Sequence, residues 1–185
     1  MALLGVLLFA ILLAGPMGGR LSHLAKARFR YELLLPLGFL VQIIPSALSA
    51  SLMRGDLGRV TLVSWLAGSL VLVMACILNW EYVGFRLAAL GVALNALVII
   101  PNKGMPVSVA ALNHMGVTGT EQQVEALTPL YHLGNAETVL EVLGDVLPVP
   151  GPPLIQSVVS LGDLVLMVGI AVVVLDGAKA LARRR

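Results

Sequence analysis

The sequence predicts an all-α fold: a polytopic helical membrane bundle of about five transmembrane helices, with short amphipathic helices in the outer loop. Three observations predict it. Of 185 residues, 58% are hydrophobic and only 12% charged, whereas a soluble domain is about half apolar and a quarter charged. Mean hydropathy is +0.96, so the bilayer is the expected solvent. The apolar residues also recur in blocks close to the roughly 17–25 residues that a crossing helix needs. A single membrane domain over 1–185 follows, with no second, soluble unit.

The first block, Met1 to Gly15, is followed by Arg20, Lys26, Arg28 and Arg30. A secretory signal carries its positive residues before the apolar core, so this block is expected to be a retained helix. At 1.5 Å per residue it reaches about 22 Å, and Gly15-Pro16 stops it. The second span, Leu33 to Met53, contains Pro36 and Pro45 and is expected to kink. The third, Val60 to Leu78, is uninterrupted. Asn79-Trp80-Glu81-Tyr82 reads as an interfacial turn, its aromatic rings suited to the headgroup level. The fourth span runs from Phe85 to Pro101, and the fifth from Leu154 to Leu175, after an outer loop over 102–153.

Short cytoplasmic flanks collect Lys and Arg. With the N-terminus outside, the inner side receives Arg20, Lys26, Arg28, Arg30, Arg86, Lys179, Arg183, Arg184 and Arg185, and the outer side Arg54, Arg59 and Lys103. That nine-to-three split predicts a cytoplasmic C-terminus. Orientation thus accounts for most of the basic residues, and the net charge of +2 does not call for nucleic acid as a partner. The lipid bilayer is the expected one. In the outer loop, Thr120 with Gln123 resembles a capping box, and Val139, Leu140, Leu143 and Leu147 fall at helical spacing. Two short amphipathic helices are expected there, roofing the bundle.

In so apolar a chain the polar side chains inside the spans are informative, because a charge at the bilayer centre costs about 2.5–3.5 kcal/mol. Asp163 falls inside the fifth span, and Gln156, Ser160 and Asp163 would share one helix face at i, i+4 and i+7. In the fourth span Ala88, Gly91 and Asn95 share a face whose small residues permit close helix approach. Gln42 lies near the middle of the second. Converging, Gln42, Asn95 and Asp163 would form a polar layer in the outer half of the bundle. Hydrogen bonding between helices is the plainer role for Gln42 and Asn95.

Pro101-Asn102-Lys103-Gly104-Met105-Pro106-Val107 should stop one helix and turn the chain, with Pro106 placed to open a short helix through His114. Such a turn is either an ordinary surface turn or a partly re-entrant hairpin whose helix start attracts an anion. Arg20, Arg28 and Arg30 are candidate contacts for anionic lipid headgroups, although topology alone explains their charge. His114 and His132 match no compact metal-ligand spacing. The lone cysteine, Cys76, lies inside an apolar run, so an intrachain disulfide is excluded. Phosphate-loop, dinucleotide and H-E-x-x-H motifs are absent. No catalytic residue, metal or cofactor is therefore assigned.

Gly18-Gly19-Arg20-Leu21, Leu94-Asn95, Asn102 to Val107 and Ser160-Leu161-Gly162-Asp163 resemble an uncharacterised bacterial integral-membrane family, a domain of unknown function found mainly in Gram-positive lineages. The resemblance implies a bacterial cytoplasmic membrane location. It also implies that Asn95, Asn102, Gly104, Pro106, Gly162 and Asp163 act as one constellation, and it brings no known reaction. A second glycine is expected where Lys103 stands. The leading functional expectation is a small membrane protein that binds or moves a small molecule, ion or lipid through an outward-facing polar pocket built from Gln42, Asn95, Asn102, Gly104, Met105, Pro106, Ser160 and Asp163. The alternatives are an accessory or assembly subunit docking a membrane-protein partner, and an outer-face enzyme using Asp163 or the loop acids.

Overall fold

A computed structural model describes residues 29–47, 57–116, 129–151 and 156–179. It is mostly helical, and among these residues the elements run α1 (Leu34–Ala47), α2 (Leu57–Leu78), α3 (Val83–Asn102), β1 (Met105–Val107), α4 (Val109–His114), β2 (Tyr131–Leu133), a 3-10 turn (Glu141–Leu143), β3 (Leu147–Val149), β4 (Ser157–Val159) and α5 (Leu161–Lys179). The long helices pack as a bundle and the strands cap one end of it.

Helix α2 has 22 residues and α3 has 20, about 33 and 30 Å at 1.5 Å per residue. These two are long and apolar enough to cross a membrane. Each is apolar on its outer face as well as its inner one. Along α3, Val83, Leu90 and Leu97 are exposed at seven-residue spacing, while Gly84, Ala88, Gly91, Asn95 and Val98 are buried on the opposite side.

Among the described residues these two helices, not the expected five, are candidate spans. Met1 to Gly15 lies outside the described residues, as does the Thr120 capping box. In the second span the described helix covers 14 residues, Leu34–Ala47, or roughly 21 Å. Pro36 falls in its first turn, where a missing N–H costs nothing. The fifth span does not begin as a helix, because Ser157–Val159 pairs antiparallel with Leu147–Val149 and α5 starts only at Leu161. Helix α5 also carries Asp163, Asp176 and Lys179, which break its apolar run at both ends.

Two antiparallel helix pairs make the bundle, α1 on α2 and α3 on α5. Close approach holds the second pair. A Cβ on Gly84 would lie 2.7 Å from the Gly169 carbonyl oxygen, and one on Gly91 would lie 2.6 Å from that of Gly162. Both separations are closer than a side chain tolerates, so these glycines set the spacing of α3 and α5.

Asparagines fasten the ends. Beyond α2, the Asn79 side chain donates to the Ala75 carbonyl (2.8 Å) and to that of Arg30 (3.0 Å), and accepts from the Arg30 N–H (2.8 Å). At the opposite end, Asn102 donates to the carbonyls of Val98 (2.7 Å) and Val139 (2.8 Å) and accepts from the Val139 N–H (2.9 Å). Each amide thus closes its own helix and binds both backbone groups of a distant residue. Beside Asn79, Phe29 stacks edge-on against Tyr82 and Phe85, with ring centroids 5.5 and 5.2 Å apart.

The cap departs from the expected pair of amphipathic helices. Strand β1 is its centre, parallel to β2 on one side and bridged on the other to Asp145. Over 139–147, where helical spacing was present, the chain makes only the 3-10 turn and enters β3. Backbone pairing with β1 outcompetes local periodicity there: Asp145 N–H donates to the Pro106 carbonyl and Ser108 N–H to that of Asp145, both at 2.9 Å. Pro106 therefore sits in a strand. The short helix expected from it starts at Val109, where the Ser108 hydroxyl accepts from the Ala111 N–H.

Candidate functional site

The site begins at the start of α5. Ser160 precedes the helix, and its hydroxyl oxygen accepts from the Asp163 N–H (2.9 Å), while an Asp163 carboxylate oxygen accepts from the Ser160 N–H (3.2 Å). This reciprocal pair is a capping box closed by an aspartate. The negative charge also sits at the positive end of the helix dipole. Asp163 is therefore a first-turn residue, not one nine residues deep in a span. Gln156 and Ser160 do not continue its helix face, since both lie before α5, and Gln156 donates to the Met115 carbonyl (3.0 Å).

From α3, Asn95 reaches across. Its Nδ2 donates to Asp163 Oδ1 at 2.7 Å, and its Oδ1 accepts from the Ser160 hydroxyl at 2.8 Å. A Cβ at position 162 would collide with the Asn95 amide oxygen, so Gly162 makes room for the bond. A hydrogen bond to a charged group contributes about 1.5–3 kcal/mol. The three side chains form one network in which Ser160 and Asn95 are buried.

Asn95 and Asp163 of this network line a cavity of about 320 Å³ between the helices and the cap. On the facing wall Gln42 of α1 donates to the Ser69 hydroxyl of α2 at 3.1 Å. The roof supplies Tyr131 of β2 and Asp145. Asp145 is buried, and its Oδ1 has no hydrogen-bond partner among the described residues. Burial, and then the charge of Asp163, push its carboxyl up to about 8. Burial raises the Tyr131 hydroxyl as well, with the charges of Asp145 and Asp163 adding to the shift. The chamber can accept hydrogen bonds from a polar solute and hold positive charge. Its volume is at the lower end of the roughly 300–1,000 Å³ range for small-molecule pockets.

Gln42, Asn95 and Asp163 thus meet around one cavity, with Ser160 behind them. Asn102, Gly104, Met105 and Pro106 do not line it. They stop α3 and build β1. The Gly104 N–H bonds to the Ile99 carbonyl (3.0 Å) and the Lys103 N–H to that of Ile100 (3.3 Å), with Lys103 left-handed at φ 57°. This is a Schellman stop. Met105 packs with Val98, Ile99 and Leu130 in the core. Through β1 these residues place Asp145 and Tyr131, so they act on the cavity through the backbone. Arg20 and Arg28 lie outside the described residues. Arg30 is at the opposite end, in an exposed contact of 3.9 Å with Glu81. His114 is exposed at the end of α4, and His132 lies in β2 with Nδ1 3.1 Å from the Leu133 carbonyl oxygen.

Sequence reasoning counted Asp145 among the loop acids and passed over Tyr131 and Ser69. The available signal was a single acid between apolar residues, in Val142-Leu143-Gly144-Asp145-Val146-Leu147.

Residues 26–175 match a family of unknown function. The chain belongs to DUF5317. No curated protein and no solved structure matches it. All the cavity-lining side chains lie within the DUF5317 region. The glycine implied at position 103 has a physical reason, since the left-handed backbone there suits glycine better than lysine.

Proposed function

We propose that this DUF5317 protein is an integral protein of a bacterial cytoplasmic membrane that binds, and by binding moves or presents, a small polar molecule in the chamber beneath its outer cap. The observation that carries the reading is the convergence of Gln42, Asn95 and Asp163 from three helices with Asp145 and Tyr131 from the cap around one space. Polar side chains that converge on a cavity in an apolar protein, one of them buried with an oxygen unpartnered among the described residues, mark a ligand site.

The exposed apolar stripe of α3, together with Val63, Leu70, Met74 and Ile77 on α2, supports lipid as the surroundings of these helices. A large exposed apolar surface of this kind is rare on a soluble monomer. The nine-to-three distribution of basic residues supports an outward cap.

Labelling tests the placement. In a Cys76→Ala background, Ser157→Cys on the cavity wall should react with a membrane-impermeant maleimide added to intact cells, and Arg86→Cys at the opposite end should react only in inverted vesicles. Reaction of both from one side, or release of the protein from membranes by alkaline carbonate, would refute the reading.

A further inference from the structure

We infer that the ligand is an alkylammonium, its cationic head held among the carboxylates and its alkyl chain in an apolar recess beside them. The inference rests on the binding reading above and adds the charge and shape of what is bound.

Charge comes first. Asp145 and Asp163 both line the chamber, and among the described residues no lysine, arginine or histidine does. Asp163 is already committed to Asn95 and to the Ser160 N–H. Asp145 is not: its side chain sits in a residue only 6% exposed, with one oxygen unpartnered among the described residues. A buried carboxylate without a partner is unfavourable and keeps its proton, and a cation entering the chamber supplies the partner that lets it ionise.

The walls then select the kind of cation. Phe39, Trp65 and Tyr131 contribute aromatic rings, which attract ammonium groups through their faces. Among the described residues, no three of His, Cys, Asp and Glu gather into a metal-holding group. A hard divalent ion, which takes six to eight oxygens or a near-ideal octahedron, is therefore poorly served.

Shape comes last. A second cavity of about 220 Å³ adjoins the first and shares Phe39, Leu72, Val92 and Leu166 with it. It continues between the two helix pairs, past Cys76 and Ile170. Its accessible lining presents no polar surface, so it excludes a charged group and accepts hydrocarbon. Together the two spaces offer one polar end and one apolar end.

The test uses the full chain in zwitterionic nanodiscs with Trp80→Phe, which leaves Trp65 as the single tryptophan. Hexyltrimethylammonium at pH 8 should change Trp65 emission saturably. The neutral 1-hexanol, the anionic hexanoate and the tailless tetramethylammonium should each bind at least tenfold more weakly, and Asp145→Asn should weaken the hexyl cation at least tenfold. Equal binding of cation and alcohol would overturn the assigned charge while leaving the chamber a binding site. Equal binding of the hexyl and tetramethyl cations would overturn the assigned shape. An unchanged affinity in Asp145→Asn would overturn the role of that carboxylate, and failure of every probe would overturn the inference whole. The ligand-series comparison within one protein stands even if the Asp145 variant misfolds, and the Ser157→Cys labelling judges the membrane placement separately.

Discussion

Replacing Asp145 by asparagine should change how stability depends on pH. In the folded protein the carboxyl is held up to about 8, first by burial and then by Asp163, against an ordinary value of 3.8. Tyr131, on β2 across β1 from it, is the other titratable group that feels its charge. Between pH 4 and 8, in round numbers, the folded chain keeps a proton there that the unfolded chain has lost. The unfolded state binds fewer protons in this window, so stability falls as pH rises through it and levels off above about 8. Each pH unit inside the window costs about 1.4 kcal/mol. Asparagine cannot titrate and removes that slope. The stability of Asp145→Asn relative to the parent should therefore grow by about 3 kcal/mol from pH 5 to pH 7. For a chain of this size that widens the gap in Tm by roughly 6–12 °C. Thermal unfolding in detergent, followed by circular dichroism at pH 5, 6, 7, 8 and 9, measures it. A constant offset between the two proteins only reflects the exchange of one polar group for another. Parallel curves over the whole range would refute the burial argument.

Lys103→Gly should raise stability by about 0.5–1 kcal/mol, read as a higher Tm, because a non-glycine residue is strained in the left-handed backbone that ends α3; no gain would mean that another interaction of Lys103 offsets the strain. Gly162→Ala should cost more than about 2 kcal/mol, as the added methyl group meets both the Asn95 amide and the Gly91 carbonyl. A melting curve matching the parent's would show that α3 and α5 can separate freely.

Helices α2 and α3 were legible because their apolar runs are long and bounded by turn residues, and the stop at Asn102 to Gly104 was legible from its own turn chemistry. The polar layer followed from the cost of placing amides and a carboxylate in apolar helices. The cap was not legible. Its pairings join Val107 to Leu133 and to Asp145 across intervals of 26 and 38 residues, and nothing local announces them. Ser157–Val159 illustrates the limit: so short a stretch fits a helix or a strand equally well, and the choice was made by Leu147–Val149 pairing against it. The expected depth of Asp163 failed for the same reason, since moving the helix start to Leu161 turned a mid-span carboxylate into a capping residue.

That capping role links two events usually treated apart. The carboxylate that faces the chamber also closes the first turn of α5, with Asn95 tying both to α3. An occupant that draws Asp163 toward itself competes with the Ser160 N–H and with the Asn95 amide together. Filling the chamber and loosening the head of α5 then become opposite ends of one balance, and the amide hydrogens of that first turn would report occupancy through their exchange rate.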